Sequence, residues 1–150
     1  MSTKKKSTAT STWLTPAEER AWRLFRHMAI HVNGHIRHAL LDTGLSDADY
    51  EVLSTLVERP DTRSTLHAQA VKMGWSRSRL SRHASRMEAR GLVERAPDPD
   101  DGRGCLLVLT RAGRDALRAA TAPHLQSVRR HFADLLDADE IAAVAGDLNV

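Results

Sequence analysis

The segment from Trp75 to Gly91, WSRSRLSRHASRMEARG, holds five arginines and four serines among seventeen residues. Arginine forks pair with phosphate oxygens and guanine edges, and small hydroxyls let a backbone approach a bound surface closely. On a helical wheel Leu80, Ala84 and Met87 fall on one side, within about 60°. Ser78, Ser81, Arg82 and Ser85 fall on the opposite side, within about 100°, with Arg77 and Arg86 flanking them. That outer face carries no acid, whereas a helix needing only solubility usually mixes Glu and Lys there. Arg82, at the centre, is placed to fork onto a guanine. The helix start at Trp75 to Arg77, with Ser76 as its cap, offers free N–H groups and a partial positive charge to phosphate. From Lys72 to Arg95 there are seven basic and two acidic residues, a local +5 against +3 for the whole chain. Concentrated charge of this kind is the footprint of a nucleic-acid surface; the competing reading is a solvated basic helix.

Several elements must hold this helix in place. Thr15-Pro16-Ala17-Glu18 has the form of a capping box with proline at the first helical position, which predicts a long helix to about Leu41. Its apolar positions include Ala21, Trp22, Phe25, Met28, Val32, Ile36 and Leu40. Gly44 stops it, and Ser46 caps a second helix that carries Tyr50, Val52, Leu53 and Leu56 and ends before Pro60. A third, short helix fits Ser64 to Met73, with Leu66, Ala70 and Val71 inward, and Gly74 supplies its left-handed stop. Two β-prone runs, LVERAP and CLLVLT, then flank the turn-forming DPDDGRG, which predicts a hairpin with a long tip. Thr110 caps a further helix in which Pro123 is expected to make a kink or a division. Asp137 and Glu140 open a last short helix with Ile141, Val144 and Leu148.

A short helix, a tight turn and a basic helix form a helix-turn-helix, and the hairpin after it makes a winged helix. The fold class is thus mainly α with a small β-hairpin wing. Asp101 and Arg103 sit in the wing. A hairpin tip can set an arginine in the negative potential of the minor groove. Asp101 fits there if it pairs with Arg103 and fixes its aim.

The 150 residues suit one domain, and 41% apolar residues suffice for a core. Residues 1–14 read as a disordered basic Ser/Thr tail and 15–150 as a single domain. Its winged helix spans about 46–110 and its flanking helices about 16–41 and 111–149. The lone cysteine, Cys105, permits no internal disulfide. With no secretory signal and no long apolar run, this predicts a cytoplasmic protein with no membrane partner.

The order of these marks resembles the MarR family of bacterial transcriptional regulators, from about Trp22 to Phe132. WSRSRLSRHASRMEARGLVER is followed by APDPDDGRGCLLVLTRAGRDAL. The family pattern is a recognition helix ending in an acid, a small residue and Gly-Leu-Val. An Asp-Pro-x-Asp-x-Arg wing and a Leu-Thr-x-x-Gly helix start come next. The resemblance implies a homodimer with interleaved terminal helices and two winged helices on successive major grooves of a pseudo-palindrome. It implies a repressor of ligand-responsive type, released from double-stranded DNA by a small aromatic effector. Arg103 matches the wing arginine and Asp101 its supporting acid. Ser76, Ser78, Ser81, Arg82 and Arg86 match recognition-helix positions that touch DNA. The sequence departs from the pattern at Gln69, where an apolar residue is common, at His83, where leucine is usual, and at Arg79, where a small residue is frequent.

The terminal helices carry more apolar surface than a winged helix can bury alone. Trp22, Leu135, Leu136, Ile141, Val144 and Leu148 are therefore the expected dimer contacts, with operator half-sites about 10 bp apart. His27, His31, His35 and His38 form a stripe beside the apolar face of the first helix. Histidines at i and i+4 can share a metal. With no acidic or cysteine ligand on the stripe, the favoured reading is hydrogen-bonded histidines and no cofactor, and a zinc-responsive regulator of the same fold is the alternative. A protein-interaction winged helix is a further alternative, against which the outer arginines argue. No GxSxG, P-loop, CxxC or paired-carboxylate motif points to an enzyme. Cys105 reads as structural.

Overall fold

The computed structural model describes residues 12–147, with the side chain of Asp147 left aside. The expectation of a disordered tail, for residues 1–11, and Leu148 lie outside the described residues.

Helix α1 spans Pro16–Leu40, and its start is the anticipated capping box. Glu18 N–H donates to Thr15 Oγ1 at 3.2 Å and Thr15 N–H donates to Glu18 Oε2 at 2.7 Å. A single 3-10 turn, Leu41–Thr43, and Gly44 at φ 76° lead into α2, Asp47–Val57. A second reciprocal box, Ser46 with Asp49, caps α2.

Ser64 and Thr65, expected in the third helix, instead form a strand with Arg63, β1 (Arg63–Thr65). It completes a three-stranded antiparallel sheet of order β1-β3-β2, with β2 at Val93–Asp98 and β3 at Asp101–Leu109. Ser64 lies opposite Leu107, so the inner wing strand is paired on both edges. Helix α3, Leu66–Met73, therefore starts at the Thr65 cap, which accepts from Ala68 N–H at 3.1 Å. Its inward set is Leu66, Gln69 and Ala70, while Val71 is exposed. Positions 66, 69, 70 and 73 share one helical face, and Val71 stands about 100° past Ala70. Gln69, fully buried, donates to Thr55 Oγ1 and reaches Met73 Sδ at 3.4 Å. The neighbouring hydroxyl thus satisfies the amide nitrogen, while the buried Gln69 Oε1 has no hydrogen-bond partner among the described residues.

Gly74, at φ 64°, turns the chain into α4, Arg77–Ala89. Leu40, Leu53, Leu56, Leu80, Met87 and Leu107 are completely inaccessible and form the centre of the core. Helix α5, Arg111–His131, packs along α1 and is not divided at Pro123. Proline removes one N–H from the ladder, and the helix continues on both sides of that gap. Gly113 in its first turn lies so close to the sheet that a Cβ would run into the Leu92 carbonyl oxygen. After a 3-10 turn, Ala133–Leu135, α6 spans Ala138–Asp147 and opens at Asp137 and Glu140 as expected, the two joined by reciprocal backbone-to-side-chain bonds. No helix among the described residues is long and apolar enough to cross a membrane.

Candidate nucleic-acid interface

The side chain of Ser76 caps α4 by accepting from Arg79 N–H at 3.2 Å, and its oxygen lies 3.3 Å from Ser78 Oγ. Leu80, Ala84 and Met87 have no accessible surface, so the inner face is fixed to the core as its spacing requires. Arg77, Ser78, Arg82, Ser85 and Arg86 are exposed on the other side, and Ser81 is half-buried. Among the described residues no hydrogen bond or ion pair engages the side chains of Arg77, Arg82 or Arg103. These three cations are therefore uncommitted. Arg79 is different: its guanidinium lies 3.7 Å over the Trp75 ring, a cation–π contact that shields the start of the helix.

In the sequence Arg95 stands out only as part of the local basic charge. From β2 its Nη2 donates to Ser81 O at 2.7 Å and to Ser85 Oγ at 3.0 Å, and its Nε lies 3.6 Å from Glu88 Oε2. It binds the wing to the recognition helix and occupies Ser81, which the sequence placed among free DNA-facing hydroxyls. No periodic signal marks such a contact, since it joins residues 14 apart through a turn.

The wing tip is tighter than anticipated. Asp98 pairs with Asp101 across Pro99-Asp100, with a register shift between Pro97 and Asp98, so Asp101-Gly-Arg-Gly belongs to β3. Asp101 Oδ1 accepts from the backbone N–H of Arg103 at 3.0 Å. The carboxylate thus shapes the backbone under Arg103 instead of pairing with its guanidinium, because an Asx-type bond reaches the amide two residues on. A Cβ at Gly104 would lie 3.1 Å from Asp98 Cβ and 3.2 Å from Asp101 O, so the hairpin is closed tightly here. Cys105 is half-buried opposite Pro97, and its Sγ lies 3.6 Å from the Leu106 carbonyl.

His83, the residue standing where leucine is usual, is an inner member of a polar cluster. Asp49, 3% exposed, accepts from Arg90 Nη1 at 2.7 Å, and its other oxygen lies 2.9 Å from His83 Nε2. Arg86 Nη2 lies 3.1 Å from His83 Nδ1, and Trp75 meets the imidazole edge-on at 5.7 Å. Burial alone would raise the Asp49 pKa. The Arg90 bond, the Ser46 amide and the charge of Arg90 outweigh burial and hold it below the usual carboxylate range.

Of the expected dimer contacts, Trp22, Leu135, Ile141 and Val144 are exposed and Leu136 is half-buried. Trp22 stacks on Phe25 at 5.8 Å, and Phe25 and Ile30 extend the exposed apolar face of α1.

The histidine stripe gains a member that the sequence reading missed. His131 of α5 stacks flat on His35 at 3.6 Å, and His31 meets His35 edge-on at 4.4 Å, with their Nε2 atoms 3.2 Å apart. Partial burial, then the charges of His131, His31 and His38, hold His35 below the usual histidine range. His27 is exposed one turn before His31. Among the described residues no three His, Cys, Asp or Glu side chains are grouped to hold a metal ion. A cavity of about 440 Å³ opens beside the cluster, lined in part by His35, His38, Gln126, Ser127, Arg130 and His131. Farther along α5, His124 stacks on Tyr50 at 3.9 Å, and burial lowers its pKa.

The MarR family model matches residues 43–104. AbsC, a MarR family transcriptional regulator from Streptomyces coelicolor, is 34% identical at a TM-score of 0.85, covering 93% of this chain and 94% of AbsC. Sco3205, a MarR family regulator of the same organism solved in complex with DNA, is 31% identical at a TM-score of 0.84, covering 91% of this chain and 86% of Sco3205. YxaD, an HTH-type transcriptional regulator of Bacillus subtilis (strain 168), is 34% identical over 82 residues. That match spans 55% of this chain and 56% of the length of YxaD. The mainly helical architecture, the three-stranded winged sheet and the likeness over nearly the whole of AbsC agree: the chain belongs to the MarR family of transcriptional regulators.

Proposed function

We propose that the protein binds double-stranded DNA sequence-specifically, as a homodimer on a pseudo-palindromic operator, and represses transcription until a small effector releases it. It acts by binding and not by catalysis. The observation that carries the DNA reading is the exposure of Arg77 and Arg82 on α4, both uncommitted, with Arg103 uncommitted on the wing fastened to that helix by Arg95. Sco3205, built on the same fold, was solved with DNA. The exposed apolar faces of α1 and α6 support the homodimer. The cavity between α1 and α5, with imidazoles and Arg130 on its wall, supports an aromatic-acid effector.

Binding to a palindromic duplex selected from random DNA, followed across salt concentrations, tests the reading. Affinity should fall steeply as salt rises, because phosphate contacts release counterions. Arg82→Ala is expected to cost about 1–3 kcal/mol and to relax specificity at one base pair per half-site. Arg103→Ala should weaken binding evenly over sequences of equal minor-groove width. No retardation at low salt would leave the protein-interaction reading in its place.

A second reading, a zinc-responsive regulator, rests on the close approach of the His31 and His35 Nε2 atoms. Zinc titration should leave metal content and operator affinity unchanged. Stoichiometric uptake that alters affinity would favour zinc over the aromatic acid.

A further inference from the structure

We infer that His83 is a positioning residue for DNA recognition: it aims Arg86 by presenting a lone pair from a ring whose other nitrogen is anchored on Asp49. The inference rests on the DNA-binding reading of α4 and adds to it a residue on the inner side of that helix.

The protonation pattern follows from what each neighbour can do. Asp49 is held ionised, and an ionised carboxylate only accepts. The contact of 2.9 Å from His83 Nε2 to Asp49 Oδ1 therefore requires the hydrogen on Nε2. A guanidinium only donates. The contact of 3.1 Å between Arg86 Nη2 and His83 Nδ1 therefore requires a free lone pair on Nδ1. The neutral Nε2–H tautomer satisfies both contacts, and leucine would satisfy neither. The ring has little freedom to turn away. Its side chain is 12% exposed, Trp75 stands against its edge, and Asp49 is itself tied to Arg90 and to the Ser46 amide.

The effect falls on Arg86. A free arginine on a helix surface samples many rotamers and loses that freedom when it binds. One N–H of Arg86 held by Nδ1 fixes the plane of the fork, and its four remaining donors stay available. Arg77 and Arg82, by contrast, are uncommitted. The helix thus presents an oriented fork near its C-terminal end, beyond the uncommitted Arg77 and Arg82. The Asp49–His83 bond spans 34 residues, so the aim of Arg86 is set from α2.

Operator affinities of the wild type, Arg86→Ala, His83→Gln and the double variant test this on the full chain. Glutamine keeps an amide donor for Asp49 but offers no acceptor at the place of Nδ1. His83→Gln should therefore keep its thermal midpoint and bind roughly three- to ten-fold more weakly. Arg86→Ala should weaken binding on the order of ten-fold, and adding His83→Gln to it should cost little more. Two full, additive losses would overturn the relay while leaving Arg86 at the interface, as would wild-type affinity in His83→Gln. Wild-type affinity in Arg86→Ala would instead remove Arg86 from the interface, and the relay with it. Imidazole nitrogen NMR on the wild type is independent of how the variants fold. It should report the neutral Nε2–H tautomer for His83, with an Nδ1 resonance that moves in Arg86→Ala; an Nδ1–H tautomer would overturn the inference.

Discussion

Gly113→Ala is expected to lower the thermal midpoint by roughly 6–12 °C, the equivalent of about 3 kcal/mol for a chain of this size. Elsewhere in a helix the change would help, since alanine is favoured over glycine by about 1 kcal/mol. The sign reverses here because the added methyl would overlap a backbone atom, the Leu92 carbonyl oxygen, and would also lie 3.0 Å from Leu109 Cδ1. That carbonyl is not free to retreat. It accepts from Thr110 N–H at 3.3 Å and lies 2.9 Å from Thr110 Oγ1, a hydroxyl that is 2.6 Å from the Gly91 carbonyl oxygen and accepts from Gly113 N–H at 2.9 Å. Relief requires α5 to back away from the sheet and give up its own cap. Thermal unfolding checks this, and an unchanged midpoint would show that the strand–helix junction is looser than the geometry described.

Asp49→Ala is the second large effect, with an expected loss of about 3 kcal/mol. The substitution strips the α2 capping box of its return bond and removes the acceptor from both Arg90 and His83. Breaking a buried pair costs about 3–5 kcal/mol. The lower end applies because the Arg90 side chain is 44% exposed and can recover water. The pH dependence carries a second signature. The folded pKa of Asp49 is depressed, so its stabilisation is complete above the unfolded value, about 3.9, and is lost as pH falls through the folded value. His35 and His124 are also depressed. Their contribution is complete above about pH 6.5 and is lost as pH falls through their folded values. Chemical denaturation across pH should show acid destabilisation in two stages. Asp49→Ala should flatten the stage below about pH 4 and leave the histidine stage in place. A variant that keeps the full acid loss would exclude Asp49 as its source.

What the sequence discloses here is what closes over three or four residues. Thr15, Ser46, Ser76 and Thr110 each cap the helix anticipated for them, because a cap links a side chain to an amide three positions on. The two faces of α4 are readable for the same reason. The misses at Arg63–Thr65, Arg95 and His131 involve partners brought from a distance. Arg63-Ser64-Thr65 has no strand signal of its own and is extended because the edge of β3 is open beside it. Arg95 meets the recognition helix through a hairpin, and His131 reaches His35 from α5. His83 is the intermediate case. Its position on the wheel marks it as odd, but only the folded chain supplies Asp49 to explain it.

The order of the sheet has a consequence for aggregation. An open sheet invites another chain to add a strand at its edge. Here the strand richest in aliphatic residues, β3, is in the middle. One edge, β1, is three residues long, and the other, β2, carries Glu94, Arg95 and Pro97, the last with no N–H to offer, beside a register shift. Both margins are poor templates for strand addition. A protein with so much exposed apolar surface is thereby guarded against polymerising through its wing.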